Sequence, residues 1–124
     1  MRTIAAIMIA GSIGTVTRYW VDGLVSQHSQ GQLPWGTFVV NVTACLLLGI
    51  LFTVTTQRVV VDTSMRLAIT TGFVGSYSTF STLILESVRL AEDGAYAFAF
   101  ANAAGSVLAG AVAMAAGIVI GRAL

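Results

Sequence analysis

The sequence predicts an all-α membrane protein with four transmembrane helices, the third broken near mid-membrane. Three observations carry that prediction. First, 56% of the 124 residues are hydrophobic and 9% are charged, with a mean hydropathy of +0.89. Soluble domains carry about 25% charged residues, and a domain this small exposes too much surface to hide so much apolar side chain. Second, four stretches reach the roughly 20 mostly apolar residues that a spanning helix needs. Third, one stretch holds a run of glycine and hydroxyl residues that disfavours helix. The first observation alone excludes a soluble enzyme, a nucleic-acid binder and a disordered regulator.

The expected spans are residues 3–24, 35–56, 65–90 and 95–122, in one integral-membrane domain covering 1–124. Ser26-Gln27-His28-Ser29-Gln30-Gly31-Gln32 and the only proline, Pro34, separate the first two. Gln57-Arg58 and Asp62-Thr63-Ser64 mark the next break, and Glu92-Asp93-Gly94 the last. Arg2 and the apolar residues 4–10 resemble a secretory signal. No clear small-x-small site follows, so the first span is expected to be retained. With the spans taking up most of the chain, no catalytic domain is expected and the function should lie within the membrane.

In the second span, Thr37, Asn41 and Cys45 recur every fourth residue and share a helix face. Cys45, the only cysteine, makes neither an intrachain disulfide nor a metal cluster and reads as a small core residue. The fourth span repeats the pattern with Phe98, Asn102, Ser106 and Gly110. Amides and hydroxyls are costly to bury unsatisfied, so two such faces suggest a shared hydrogen-bonding track for a polar solute. Beside it, Ala97, Ala101, Gly105, Ala109, Ala113, Gly117 and Gly121 form a row of small residues, expected to be one packing stripe. Ala6, Ala10 and Gly14 form a shorter version in the first span.

The third span reads Gly72-Phe73-Val74-Gly75-Ser76-Tyr77-Ser78-Thr79-Phe80-Ser81-Thr82-Leu83-Ile84-Leu85-Glu86. From 76 to 82 every residue but Phe80 bears a hydroxyl, and such side chains compete for backbone hydrogen bonds. A break at membrane depth is tolerated where protein buries it or where it lines a polar cavity, and its freed carbonyls suit a small cation. Glu86 is expected to pair with Arg89 on the helix surface.

The charges are sparse and balanced: six arginines, five acids, no lysine, net +1. No basic patch exists for a nucleic acid. Four spans would put Arg2, Arg58, Arg66 and Arg122 on one side and Arg18 and Arg89 on the other. So weak a bias allows insertion both ways round, and hence an antiparallel pair about a twofold axis in the membrane plane.

Three motifs in order now resemble the CrcB/Fluc family of small fluoride channels, over the whole chain. Gly14-Thr15-Val16-Thr17-Arg18-Tyr19 is similar to the family's G-x-x-x-R-Y, and Gly36-Thr37-Phe38-Val39-Val40-Asn41 to its G-T-x-x-V-N. Residues 72–86 resemble G-F-x-G-G-x-T-T-F-S-T-F-x-x-E. The resemblance implies an antiparallel dual-topology dimer in the cell membrane, with two fluoride pores and a central sodium ion. It implies that the carbonyls of Gly75 and Ser78 hold the sodium, that Phe80 lines the pores and that Asn41 donates to the anion. Ser81, Thr82, Asn102 and Ser106 would continue the polar track, with Arg18 near the vestibule.

The chain departs from the pattern at Ser76, Ser78 and Leu83, which stand for the second glycine, the first threonine and the second phenylalanine. Leucine lacks the positive ring edge that meets an anion. The chain would therefore work as a homodimer with one aromatic per subunit, or as a heterodimer with a paralogous chain. Hydroxyls, amides and ring edges bind weakly enough for an anion to leave, as conduction requires. The implied function is passive export of cytoplasmic fluoride. The alternatives are a four-span dual-topology multidrug or metabolite exporter, which needs a carboxylate buried in a span, and a non-conducting subunit.

Overall fold

A computed structural model describes residues 1–59 and 61–124, the side chain of Arg58 excepted, so the place of that charge lies outside the described residues. Most of the described residues are helical, and none of them forms a strand. Helix α1 runs over Arg2–His28 and α2 over Trp35–Thr53, extended by a π-helical segment, Val54–Arg58. A short α3, Thr63–Leu67, leads into a second π-helical segment, Ala68–Val74, and then α4, Gly75–Tyr77. Two extended residues, Ser78 and Thr79, precede α5, Phe80–Glu92, and α6 closes the chain over Tyr96–Ala123.

The ends follow local chemistry. His28 is still helical, its Nδ1 2.8 Å from the Leu24 carbonyl, and the chain turns extended at Ser29. Pro34 sits at the N-cap of α2, where its missing N–H costs nothing. Asp62 caps α3 by accepting from the Ser64 N–H at 3.1 Å. At the turn into α6, Gly94 has φ +79°, a left-handed conformation that glycine adopts at no steric cost.

Three segments are long and apolar enough to cross a membrane: Arg2–His28, Trp35–Gln57 and Tyr96–Ala123. The chain is thus a multi-pass membrane protein. Residues 63–92 are divided among shorter pieces, and α5, at 13 residues, is well short of the roughly 20 that span alone.

Helix α6 packs along α2, while α1 packs against the Ala68–Val74 segment and α5 rests on α6. At the first of these crossings a Cβ on Gly117 would collide with the Leu46 carbonyl, so the two backbones touch. The every-fourth-residue row of α6 is not one stripe, however. Its end, Gly117 and Gly121, is buried, but Ala97 and Ala101 are exposed; the buried face instead continues through Gly110, Ser106 and Asn102. The reason is geometric: four residues turn about 400°, so a strict four-residue row drifts about 40° per step around a straight helix.

Candidate functional site

The Ser78 and Thr79 backbone is the centre of the site, and side chains from two other helices hold it. Ser78 has φ −76°, ψ 158° and Thr79 φ −149°, ψ 104°. Asn41 of α2 grips Thr79 with both ends of its amide: the Thr79 N–H donates to Oδ1 at 2.7 Å, and Nδ2 donates to the Thr79 carbonyl at 3.0 Å. The side chain thereby gives the Thr79 N–H the acceptor that the break removes, and adds a donor to its carbonyl. Arg18 of α1 approaches the Ser78 carbonyl at 3.4 Å. Downstream, the Thr79 hydroxyl caps α5, accepting weakly from the Thr82 N–H at 3.4 Å and sharing a 2.8 Å bond with the Thr82 hydroxyl.

Two cavities flank this strand of backbone. A groove of about 390 Å³ is lined by Asn41, Ser78, Phe80, Leu83 and Ser106, with Cys45 and Met114 further along. Phe80 is 70% exposed, whereas Leu83, one turn on, is 4% exposed. The Ser106 hydroxyl is buried and has no hydrogen-bond partner. Cys45 is half-buried against Gly110 rather than enclosed in a core. A second cavity, of about 250 Å³, is lined by Arg18, Asp22, Thr37 and Thr82. The charged side chains thus gather in one cavity, and the groove offers an amide, hydroxyls and an aromatic ring.

Several sequence-derived positions are thereby brought together, and others are not. Asn41, Ser78, Phe80 and Ser106 share the groove, and Arg18 and Thr82 share the charged cavity. Ser81 is exposed on the first turn of α5 and lines neither. Asn102, 4% exposed, turns away to donate to Ser87 Oγ at 3.0 Å, joining α6 to α5 beside a separate pocket under Trp35. Gly75 begins α4 exposed; in a continuous helix its carbonyl would take the Thr79 N–H, which Asn41 has claimed.

Glu86 does not form the expected surface pair with Arg89. Its Oε1 accepts from the Thr37 hydroxyl at 2.7 Å and its Oε2 is buried without a partner. One helical turn sets i and i+3 side by side, but the docking of α5 beside α2 offers Glu86 a hydroxyl donor on its inner face. Sequence reasoning also missed Thr43 and Tyr77, which bond each other at 2.9 Å. A tyrosine within a polar run of an apolar stretch is itself a signal, because its phenol must find a partner once buried.

Residues 5–118 match the family model described as CrcB-like protein, Camphor Resistance (CrcB). The chain is 40% identical over 116 residues to a protein of Solidesulfovibrio magneticus named fluoride-specific ion channel FluC, covering 94% of this chain and 93% of that one. Proteins of the same name from Nitratidesulfovibrio vulgaris and Geobacter sp. strain M21 are 36% and 37% identical. Those matches cover 98% of both chains in the first case and 100% of both in the second. With nearly its whole length matched by the family and its relatives, this chain belongs to the CrcB family.

Proposed function

We propose that this chain forms a fluoride-specific ion channel of the cell membrane, which lets cytoplasmic fluoride leave down its gradient. The observation that carries the reading is the groove, where Asn41, Phe80 and Ser106 meet and the buried Ser106 hydroxyl has no protein partner. A hydroxyl left unsatisfied is costly, and an anion that accepts hydrogen bonds removes that cost. Fluoride is such an anion. Asn41 Nδ2 spends one proton on Thr79 and keeps the other for the groove. Arginine is held in the neighbouring cavity, so an ion in the groove meets distributed weak donors rather than a fixed charge that would trap it. Names borne by the relatives support the same substrate. No reaction is assigned to the site: it passes an ion.

The working unit in this reading is an antiparallel dual-topology dimer, with residues 63–92 crossing the membrane as a helix broken at Ser78 and Thr79. Phe80 supports it, since a ring exposed at 70% beside the groove awaits a second surface. Whether that surface is a second copy or a paralogous chain turns on Leu83, whose side chain is already packed.

A sodium ion at the dimer centre fits the donor set in part. Sodium is a hard cation that takes oxygen ligands, and the Gly75 carbonyl has lost its helical donor to Asn41. The Ser78 carbonyl already faces Arg18 at 3.4 Å, which leaves it a second lone pair. When bound, the ion would supply positive charge to favour anions, held by the carbonyls of Gly75 and Ser78.

Reconstitution in liposomes with a fluoride electrode tests the reading: efflux is expected, and none from this chain, alone or with a paralogue, overturns it. A second reading, a proton-coupled exporter of organic cations, is favoured by one observation, the inward Glu86 with its unpartnered Oε2. Uptake of an organic cation driven by a proton gradient, with no fluoride flux, would replace the channel.

A further inference from the structure

Two hydroxyl residues have no part in the pathway described so far, the half-buried Thr43 and the buried Tyr77. Tyr77 is the last residue of α4, 5% exposed, and the backbone leaves the helix immediately after it. Its hydroxyl lies 2.9 Å from Thr43 Oγ1 of α2. Thr43 has one proton to give, and its Oγ1 lies 2.6 Å from the Val39 carbonyl. The threonine therefore donates to its own helix and the phenol donates to the threonine. The ring is fixed from behind by Phe73, which stacks on it with planes 2° apart and centroids separated by 6.1 Å. Phe73 is held in turn by α1, where Gly14 lies directly against its carbonyl.

The geometry points to Tyr77 as a positioning residue: its hydrogen bond to Thr43 fixes where the chain leaves the helix, and so sets the throughput of the groove. The two other holds act downstream. Asn41 grips Thr79, and Arg18 reaches Ser78 only at 3.4 Å. Helix α4 is three residues long and follows a π-helical segment, so it has little hydrogen-bonded length with which to fix its own end. Widened turns of that kind occur frequently at functional sites. The phenol is the side-chain bond that pins the upstream edge of the break to α2. The family pattern leaves this position open, and here it is Tyr77.

For throughput, the inference rests on the channel reading; for backbone order, it does not. Tyr77→Phe keeps the ring and its stack on Phe73 and deletes only the hydroxyl. Thr43→Val deletes the acceptor, and Thr43→Ser keeps it. In liposomes, Tyr77→Phe and Thr43→Val are each expected to lower fluoride efflux about fivefold, the worth of one hydrogen bond. The double variant should lose no more than either single, and Thr43→Ser should match the wild type. In lipid nanodiscs, amide hydrogen exchange should rise at residues 78–80 in Tyr77→Phe and stay unchanged across α6. Wild-type efflux in Tyr77→Phe, or a double loss equal to the product of the singles, overturns the inference. If the wild type itself moves no fluoride, the channel reading falls and exchange alone decides: no rise at 78–80 overturns the positioning role.

Discussion

The α2–α6 pair and residues 63–92 solve the same problem in opposite ways. Helices α2 and α6 satisfy their backbone groups internally and meet through small residues, Gly49 and Gly117 letting the main chains touch. Residues 63–92 change helical type twice and then leave the helix, so the backbone there depends on side chains from outside. Asn41 and Arg18 bond it directly, and Thr43 reaches it through the Tyr77 side chain. In a membrane an unpaired amide has no water to turn to, so such a break persists only where neighbours satisfy it. The difference teaches that α2 serves both parts: one face packs α6, and another holds the break open beside the groove.

That division can be broken on either side. Asn41→Ala should have the largest effect, orphaning the Thr79 N–H at about 1–3 kcal/mol and taking one hydrogen bond of about 1 kcal/mol from its carbonyl. Fluoride efflux is expected to fall at least about a hundredfold, as each 1.4 kcal/mol is worth about tenfold, while purified protein keeps its helical circular dichroism. Normal efflux would remove Asn41 from the site. Phe80→Ile should follow, with a loss of about tenfold in efflux and little change in thermal midpoint, since the exposed ring supports no core.

Gly117→Ala probes the other region. The added methyl meets the Leu46 carbonyl, and overpacking of this kind costs about 1–3 kcal/mol. Its signature is a lowered thermal midpoint, with efflux per folded channel within about twofold of wild type by this packing argument. A selective loss of flux instead would mean that the packing crossing and the pathway are one unit.

Ser106→Ala sharpens the comparison, because Ser106 lies on the packing helix yet lines the groove. Its hydroxyl has no protein partner to lose and is costly to bury, so stability should rise by about 1 kcal/mol while efflux drops about threefold. Ser81→Ala should do least. An exposed hydroxyl that lines neither cavity is expected to alter efflux by less than about twofold, as surface substitutions usually do.

Much of the fold was legible because it rests on composition and local pattern. The apolar lengths of α1, α2 and α6 are written in consecutive residues, and so is the hydroxyl run from 76 to 82 that crosses the break into the first turn of α5. The α6 face was misread because spacing by four looks like a stripe in one dimension and becomes a spiral in three. Asn41 was found as a polar residue on an apolar helix, but its grip on Thr79 joins positions 38 apart. Nothing local to either residue announces the other.

The sequence by itself determined that the chain is a helical membrane protein, which stretches are apolar enough to span, and which family motifs it carries. Those properties depend on the transfer of side chains from water and on hydrogen bonds within one helix, both settled over a few turns. Only the tertiary structure decided which polar groups meet: Asn41 with Thr79, Glu86 with Thr37, Tyr77 with Thr43, and Asn102 with Ser87 rather than with the groove. Each of these pairings depends on how far one helix is rotated against another. In an apolar medium that rotation is set by close packing, which the linear order of residues does not record.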